Sequence, residues 1–222
     1  MEFVLYIIAG GAVGIAIGMT GVGGGSLMTP LLILFGFPYN VAIGTDLLYA
    51  AITKSGGVLS HHKQKTIEWK LVGLFAAGSI PASIATSLLL FKVFTNANDY
   101  KPVLTTALGV MLILTSLVLL FRKRIQTSTH ESPNHFAIWS QQHSTTITII
   151  SGVLLGVFVT LSSVGAGAFC AALLLILYPK LSSIKIVGTD IAHAVPLTFV
   201  AGLGHLIFLG NVDFVLLGCL LL

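Results

Sequence analysis

Nine apolar stretches succeed one another along the 222 residues, at 3–20, 26–37, 40–60, 69–91, 102–121, 145–163, 166–178, 184–208 and 212 to the end. The longer ones hold about 20 residues, the helix length that crosses a ~30 Å hydrocarbon core. The pattern therefore predicts an all-α, polytopic membrane protein. Two stretches, 26–37 and 166–178, are too short to cross comfortably. The first of these follows "GVGGGS", in which Gly21, Gly23, Gly24 and Gly25 crowd together. Each glycine weakens a helix by about 1 kcal/mol relative to alanine, so the group predicts a break. Unwound backbone at membrane depth is tolerated only where protein or a water-filled cavity satisfies it. A cavity is therefore expected beside the break.

Composition sharpens this picture. Hydrophobic residues make up 55% of the chain and charged ones 8%, with a mean hydropathy of +1.00; a soluble domain carries roughly 25% charged residues. The N-terminal run has Glu2 and no basic segment, so it reads as a first helix rather than a signal peptide. The net charge of +4 comes from short connections such as "HHKQK" and "FRKR". These read as orientation signals, not as a nucleic-acid surface. Cys170 and Cys219 lie in apolar runs without metal spacing, so neither a metal nor a cofactor is expected.

The chain repeats itself. "GVGGGS" at 21–26 returns as "SVGAGA" at 163–168, an offset of 142, and "IGTD" at 43–46 returns as "VGTD" at 187–190, an offset of 144. His61 maps onto His205 at the latter offset, and Gly73 onto Gly218 at 145. Residues 1–121 form the first transmembrane repeat, 122–144 a polar linker, and 145–222 the second repeat. The first half continues into "GSIP" (78–81) after Gly73, whereas the second stops at Leu222. The second repeat is thus expected to be incomplete at its C-terminal end.

Lys and Arg of short loops stay cytoplasmic. Loops 61–70, 122–144 and 179–185 should be inside, while 35–40 and 209–213, which lack Lys and Arg, should be outside. One crossing per stretch satisfies all of these assignments. The halves then start on opposite sides. This is an inverted-topology repeat, the plan on which many secondary transporters build a site at the bilayer midplane.

What the break binds is open to rival readings. "GVGGGS" lacks the Gly-Lys-Ser/Thr ending of a phosphate loop. Asp46 lies about twenty residues after Gly25, but no β-α-β pattern surrounds it, which excludes a dinucleotide fingerprint. Close helix packing is the simplest alternative. The free N–H groups and positive dipole of a short helix starting at about Ser26, and of another at Ala168, favour an anion. The candidate binding groups are Gly23, Gly24, Gly25, Ser26, Gly165, Ala166, Gly167 and Ala168, with Thr45 and Thr189 as hydroxyl donors. Lys54 either snorkels to the cytoplasmic surface or lends its charge to the solute path. Asp46 and Asp190, expensive inside a membrane, either brace the broken segments or couple transport to protons. His193, one helical turn after Asp190, is a candidate relay or a buried structural imidazole.

These motifs, "GVGGGSLMTPLLILFGFP" followed by "AIGTDLLYAAITKSGGVLSHHKQKTIEWKLVGLFAAGSIPA" and echoed by "SVGAGAFCAALLLILYPKLSSIKIVGTDIAHAVP", resemble the TauE/SafE sulfite exporter family over essentially the whole chain. The resemblance implies an inner-membrane permease associated with export of sulfite, sulfoacetate or other sulfur-containing organic anions. Ala166 and Ala168 depart from the glycine pattern, which points to looser binding at the second loop. Proton-coupled alternating access is one mechanism; uniport is another, because the membrane potential favours anion efflux by about 2.3 kcal/mol per charge per 100 mV. A cation carrier using Asp46 and Asp190, and a membrane assembly factor without solute flux, stay open beside the anion reading. An intramembrane enzyme is not expected, since no nucleophile or metal cluster is spaced for one.

Overall fold

The computed structural model describes the backbone of residues 2–20, 26–94, 97–131 and 143–222, with side chains for 6–15, 26–94, 99–121 and 143–222. The described residues form nine α-helices and no strand: α1 (Glu2–Thr20), α2 (Met28–Leu34), α3 (Tyr39–Lys63), α4 (Trp69–Val93), α5 (Ala97–Glu131), α6 (Ser144–Ser162), α7 (Ala168–Leu177), α8 (Ser183–Ile207) and α9 (Phe214–Leu221). The expected all-α polytopic class stands. Among the described residues four spans are long and apolar enough to cross a membrane: Trp69–Val93, Asp99–Phe121, Ser144–Ser162 and Ser183–Ile207. Leu34, Leu120, Ile207 and Phe214 turn outward with most of their side chains exposed. Such a surface is stable against lipid, where apolar exposure carries no penalty.

Two expectations about element boundaries need correction. The short helix after the first break starts at Met28 rather than Ser26, and Ser26 stands before it. In the polar linker, α5 continues as helix as far as Glu131. A 35-residue helix is roughly 50 Å long at 1.5 Å per residue, longer than the hydrocarbon core. Its apolar part ends at Phe121, so the polar residues of 122–131 prolong it past the span.

The two 25-residue helices α3 and α8, which carry the Gly-Thr-Asp motifs, pack against each other at the centre. Around them α4 lies on α6 and α8, α9 lies on α1 and α3, and the short α2 and α7 rest on α3 and α5. Without a hydrophobic drive between helices in lipid, small residues that let backbones approach hold such a bundle together. Along α4 and α6, a Cβ at Gly152 would sit 2.5 Å from the Phe75 carbonyl oxygen, and Cβ atoms at Gly78 and Gly156 would strike the Ile149 and Ser79 carbonyls. Leu47, Phe75, Leu155, Val159, Cys170 and Leu197 fill the core beneath.

Corresponding positions of the halves make corresponding contacts. Thr45 Oγ1 accepts from the Asp213 N–H at 3.1 Å, and Thr189 Oγ1 from the Glu68 N–H at 3.0 Å. Gly44 lies against the Asn211 carbonyl and His205, while Gly188 lies against the Thr66 carbonyl and His61. The Asn211 N–H donates to the His205 carbonyl and the Thr66 N–H to the His61 carbonyl, both at 3.0 Å. In each case a residue of one half is seated on the loop that precedes a helix of the other. Helices α1 and α6 each have 19 residues, and α3 and α8 each have 25.

Candidate functional site

The second break is built from the end of α6. Ser163 takes the left-handed conformation (φ 58°) and donates its N–H to the Val159 carbonyl at 2.8 Å, ending the helix. Gly165 follows at φ 115°, a value glycine adopts at no steric cost. The Val164 N–H is taken by Ser162 Oγ at 3.2 Å, and the Gly167 N–H by the Gly165 carbonyl at 2.8 Å. At the head of α7 the Cys170 and Ala171 N–H groups return to Gly165 and Gly167. That leaves the amides of Gly165, Ala166, Ala168 and Phe169 without an acceptor among the described residues. The ten-residue α7 aims its positive end at the same spot. The first break lies outside the described residues, and with it Gly23, Gly24 and Gly25.

Lys54 settles into this loop. Its side chain crosses from α3 to the other half and donates to the Ala166 carbonyl at 2.7 Å, instead of turning toward the cytoplasmic surface. Asp190 and Asp46 are near enough for their charges to act on the ammonium. Asp46 is fully buried and accepts from Thr29 Oγ1 at 2.5 Å through one oxygen, while its other oxygen has no partner. The Ser163 hydroxyl is also buried, 4% exposed, and also without a partner. Asp190, 3% exposed, has an unpartnered oxygen as well, and the Cys170 thiol is near it.

Other candidates lie further from this cluster. Thr45 and Thr189 are fully buried in the contacts between halves described above. His193 does not bond to Asp190: its Nε2 is 2.9 Å from Ser79 Oγ, its Nδ1 is 3.9 Å from Cys170 Sγ, and its ring leans on Phe75. Ser26 stands one residue before the N-cap of α2 and makes interactions of its own. Thr29, Ser163, Cys170 and Ser79 were missed by the sequence reading. For Thr29 and Ser163 the usable signal was position: each polar side chain sits within a turn of a break. Ser79 and Cys170 had none.

The family model described as Sulfite exporter TauE/SafE matches residues 6–222. The chain belongs to the TauE/SafE family. It is similar to the probable membrane transporter protein YjnA of Bacillus subtilis, 41% identical over 221 residues that cover 99% of this chain and 85% of the relative. It is also similar to the probable membrane transporter protein YunE of the same organism, 28% identical over 202 residues, 81% of this chain and 70% of the relative. A third relative, the probable membrane transporter protein MJ0441 of Methanocaldococcus jannaschii, is 34% identical over 105 residues, 40% of this chain and 39% of its own. No solved structure matches the chain. This TauE/SafE chain is a multi-pass membrane protein of a transporter family.

Proposed function

We propose that the chain is a permease that moves a small sulfur-containing anion, such as sulfite, sulfoacetate or a related organosulfonate, across the inner membrane by alternating access. The observation that carries this reading is the second break: four open amides at the head of α7, with the Lys54 ammonium bonded into the same loop. Open N–H groups and a positive helix end favour an anion, and Lys54 supplies a full charge. Gly165, Ala166, Gly167 and Ala168 form the loop, and Gly23, Gly24, Gly25 and Ser26 contribute its counterpart from the first half. The seven-residue α2 offers a weaker dipole than the ten-residue α7, so, against the expectation of looser binding at the second loop, most of the attraction falls there. Thr45 and Thr189 hold the halves together rather than donating to the solute. Asp46 and Asp190 lie beside the anion and supply the coupling. The reciprocal contacts between the halves support an inverted repeat that exchanges access about this site.

Radiolabelled sulfite and sulfonate counterflow in proteoliposomes tests the reading. Lys54→Ala should lower the flux at least tenfold, the loss of about 1.4 kcal/mol or more of anion stabilisation. Gly165→Leu should abolish flux, because its φ of 115° disfavours any side chain and an added Cβ would lie 2.6 Å from Met111 Cε. Unchanged counterflow in both variants would remove the site from consideration. The unpartnered oxygens of Asp46 and Asp190 favour a cation carrier as second reading; cation flux indifferent to sulfite would establish it. Absence of any flux would favour an assembly role.

A further inference from the structure

We propose that the cytoplasmic ends of α4 and α6 enclose a binding site for one anionic phospholipid, recognised by its phosphodiester headgroup. The site lies apart from the solute groups around Lys54, and the inference does not depend on what the chain transports. A cavity of about 300 Å³ opens between the start of α4, the start of α6 and the turn after α7. Small-ligand sites occupy ~300–1,000 Å³, so this one is large enough for a headgroup.

The order of polar and apolar walls along the membrane normal points to a lipid. Two membrane spans begin here, at Trp69 and at Ser144. Trp69 is half exposed, as tryptophan is at a membrane–water boundary, and the Lys residues of loops 61–70 and 179–185 put that boundary on the cytoplasmic side. Lys70, Ser144 and Thr145 line the cavity within one residue of the span starts, at headgroup level. Leu71 and Leu74 line it further along α4, about 3 and 7.5 Å beyond Trp69 at 1.5 Å per residue, and Leu181 adds to the apolar wall. A free phosphate would leave this wall against water. The glycerol and first acyl carbons of a phospholipid cover it.

The charges select the headgroup. Glu68 also lines the cavity, but its Oε1 is taken by Lys185 Nζ at 2.5 Å. Lys70 has no acidic partner among the described residues, so one positive charge is left for a ligand. Thr148 Oγ1 donates to the Ser144 carbonyl at 2.6 Å, so the Tyr178 hydroxyl is the donor in its 2.8 Å bond to Thr148 and has no proton left to offer. The ammonium of Lys70 and the hydroxyls of Ser144 and Thr145 remain, and all of them donate to phosphate oxygens. A zwitterionic headgroup would bring an ammonium with no free carboxylate to meet it. Basic pockets between spans on the cytoplasmic side suit anionic headgroups, which that leaflet supplies.

The test is titration of the purified protein in detergent with dioctanoyl-phosphatidylglycerol, dioctanoyl-phosphatidylcholine or inorganic phosphate, with bound lipid counted by native mass spectrometry and thermal unfolding followed in parallel. The wild type should hold one phosphatidylglycerol, unfold at a higher temperature with it, and respond to neither of the other two. Lys70→Ala should weaken phosphatidylglycerol binding about fivefold, the share of one basic residue near a lipid surface. Lys70 is exposed, so its truncation spares the fold. Glu68→Gln frees Lys185 for the headgroup and should tighten binding, a change of sign that a damaged fold does not give. Lys63→Ala, exposed at the same end but outside the cavity, should leave binding unchanged. Equal binding of the two lipids, or stabilisation by inorganic phosphate to the same degree, would overturn the inference. Equal losses in Lys70→Ala and Lys63→Ala would do so too, as the mark of a diffuse surface attraction, and so would weaker binding in Glu68→Gln.

Discussion

A single glycine does different work depending on what faces it. At Gly44 and Gly188 the missing Cβ makes room for a carbonyl of the other half, Asn211 and Thr66 respectively, the latter 2.7 Å from where a Cβ would stand. At Gly73 nothing lies within 4 Å. Alanine at Gly44 or Gly188 should therefore push α3 or α8 off its neighbouring loop and cost about 1–3 kcal/mol. Alanine at Gly73 should be neutral or stabilising by up to about 1 kcal/mol, the helix-propensity difference alone. Thermal unfolding of the purified protein in detergent measures all three. Equal effects at Gly44, Gly188 and Gly73 would show that the close approach between halves contributes nothing. The sequence marks Gly44 and Gly188 through the repeated Gly-Thr-Asp, but it does not say that the glycine faces a carbonyl. That depends on residues more than a hundred positions away.

At the scale of elements, the legible features were those written in local pattern. Each of the nine apolar stretches carries a helix among the described residues, and the second break fell where "SVGAGA" placed it, because glycine and chain polarity act within a few residues. What was not legible depended on partners. The direction of Lys54 was open until α3 and the second loop were seen side by side, and the reach of α5 to Glu131 required helix to persist in a polar segment. The threonine contacts belong to the same group. Thr45→Val leaves the Asp213 amide without its acceptor at the head of α9, and Thr189→Val does the same to the Glu68 amide at the head of α4. Each should cost about 1–3 kcal/mol, the penalty of leaving a part-buried donor unsatisfied. Lys185→Ala removes the ion pair with Glu68 (2.5 Å), but both side chains are 35–42% exposed and the loss should stay below about 1 kcal/mol. Denaturation in detergent should rank the two threonine variants well below Lys185→Ala. The opposite ranking would move the junction between halves from the threonines to the ion pair.

For the whole molecule, the site reading stands on the two halves entering the membrane from opposite sides. The equivalent helix lengths and the paired contacts at Thr45 and Thr189 support that arrangement, while the side of each loop rests on the Lys and Arg distribution. Lys63 ends α3 and Pro38 precedes it, so the 25-residue helix, roughly 38 Å long at 1.5 Å per residue, separates them. Both positions are exposed. A cysteine at Pro38 should therefore react with a membrane-impermeant maleimide in intact cells, and one at Lys63 only after the membrane is opened. The native Cys170 is buried and Cys219 half-buried, and a Cys219→Ser background keeps the reading clean. In the second half the order should reverse: a cysteine at Ser182, before α8, should be shielded in intact cells, because α8 starts where α3 ends. If Pro38 and Ser182 label alike, the halves run parallel. A parallel pair would place the second break and Lys54 without a counterpart on the opposite face, and the two-gated passage around them would lose its physical basis.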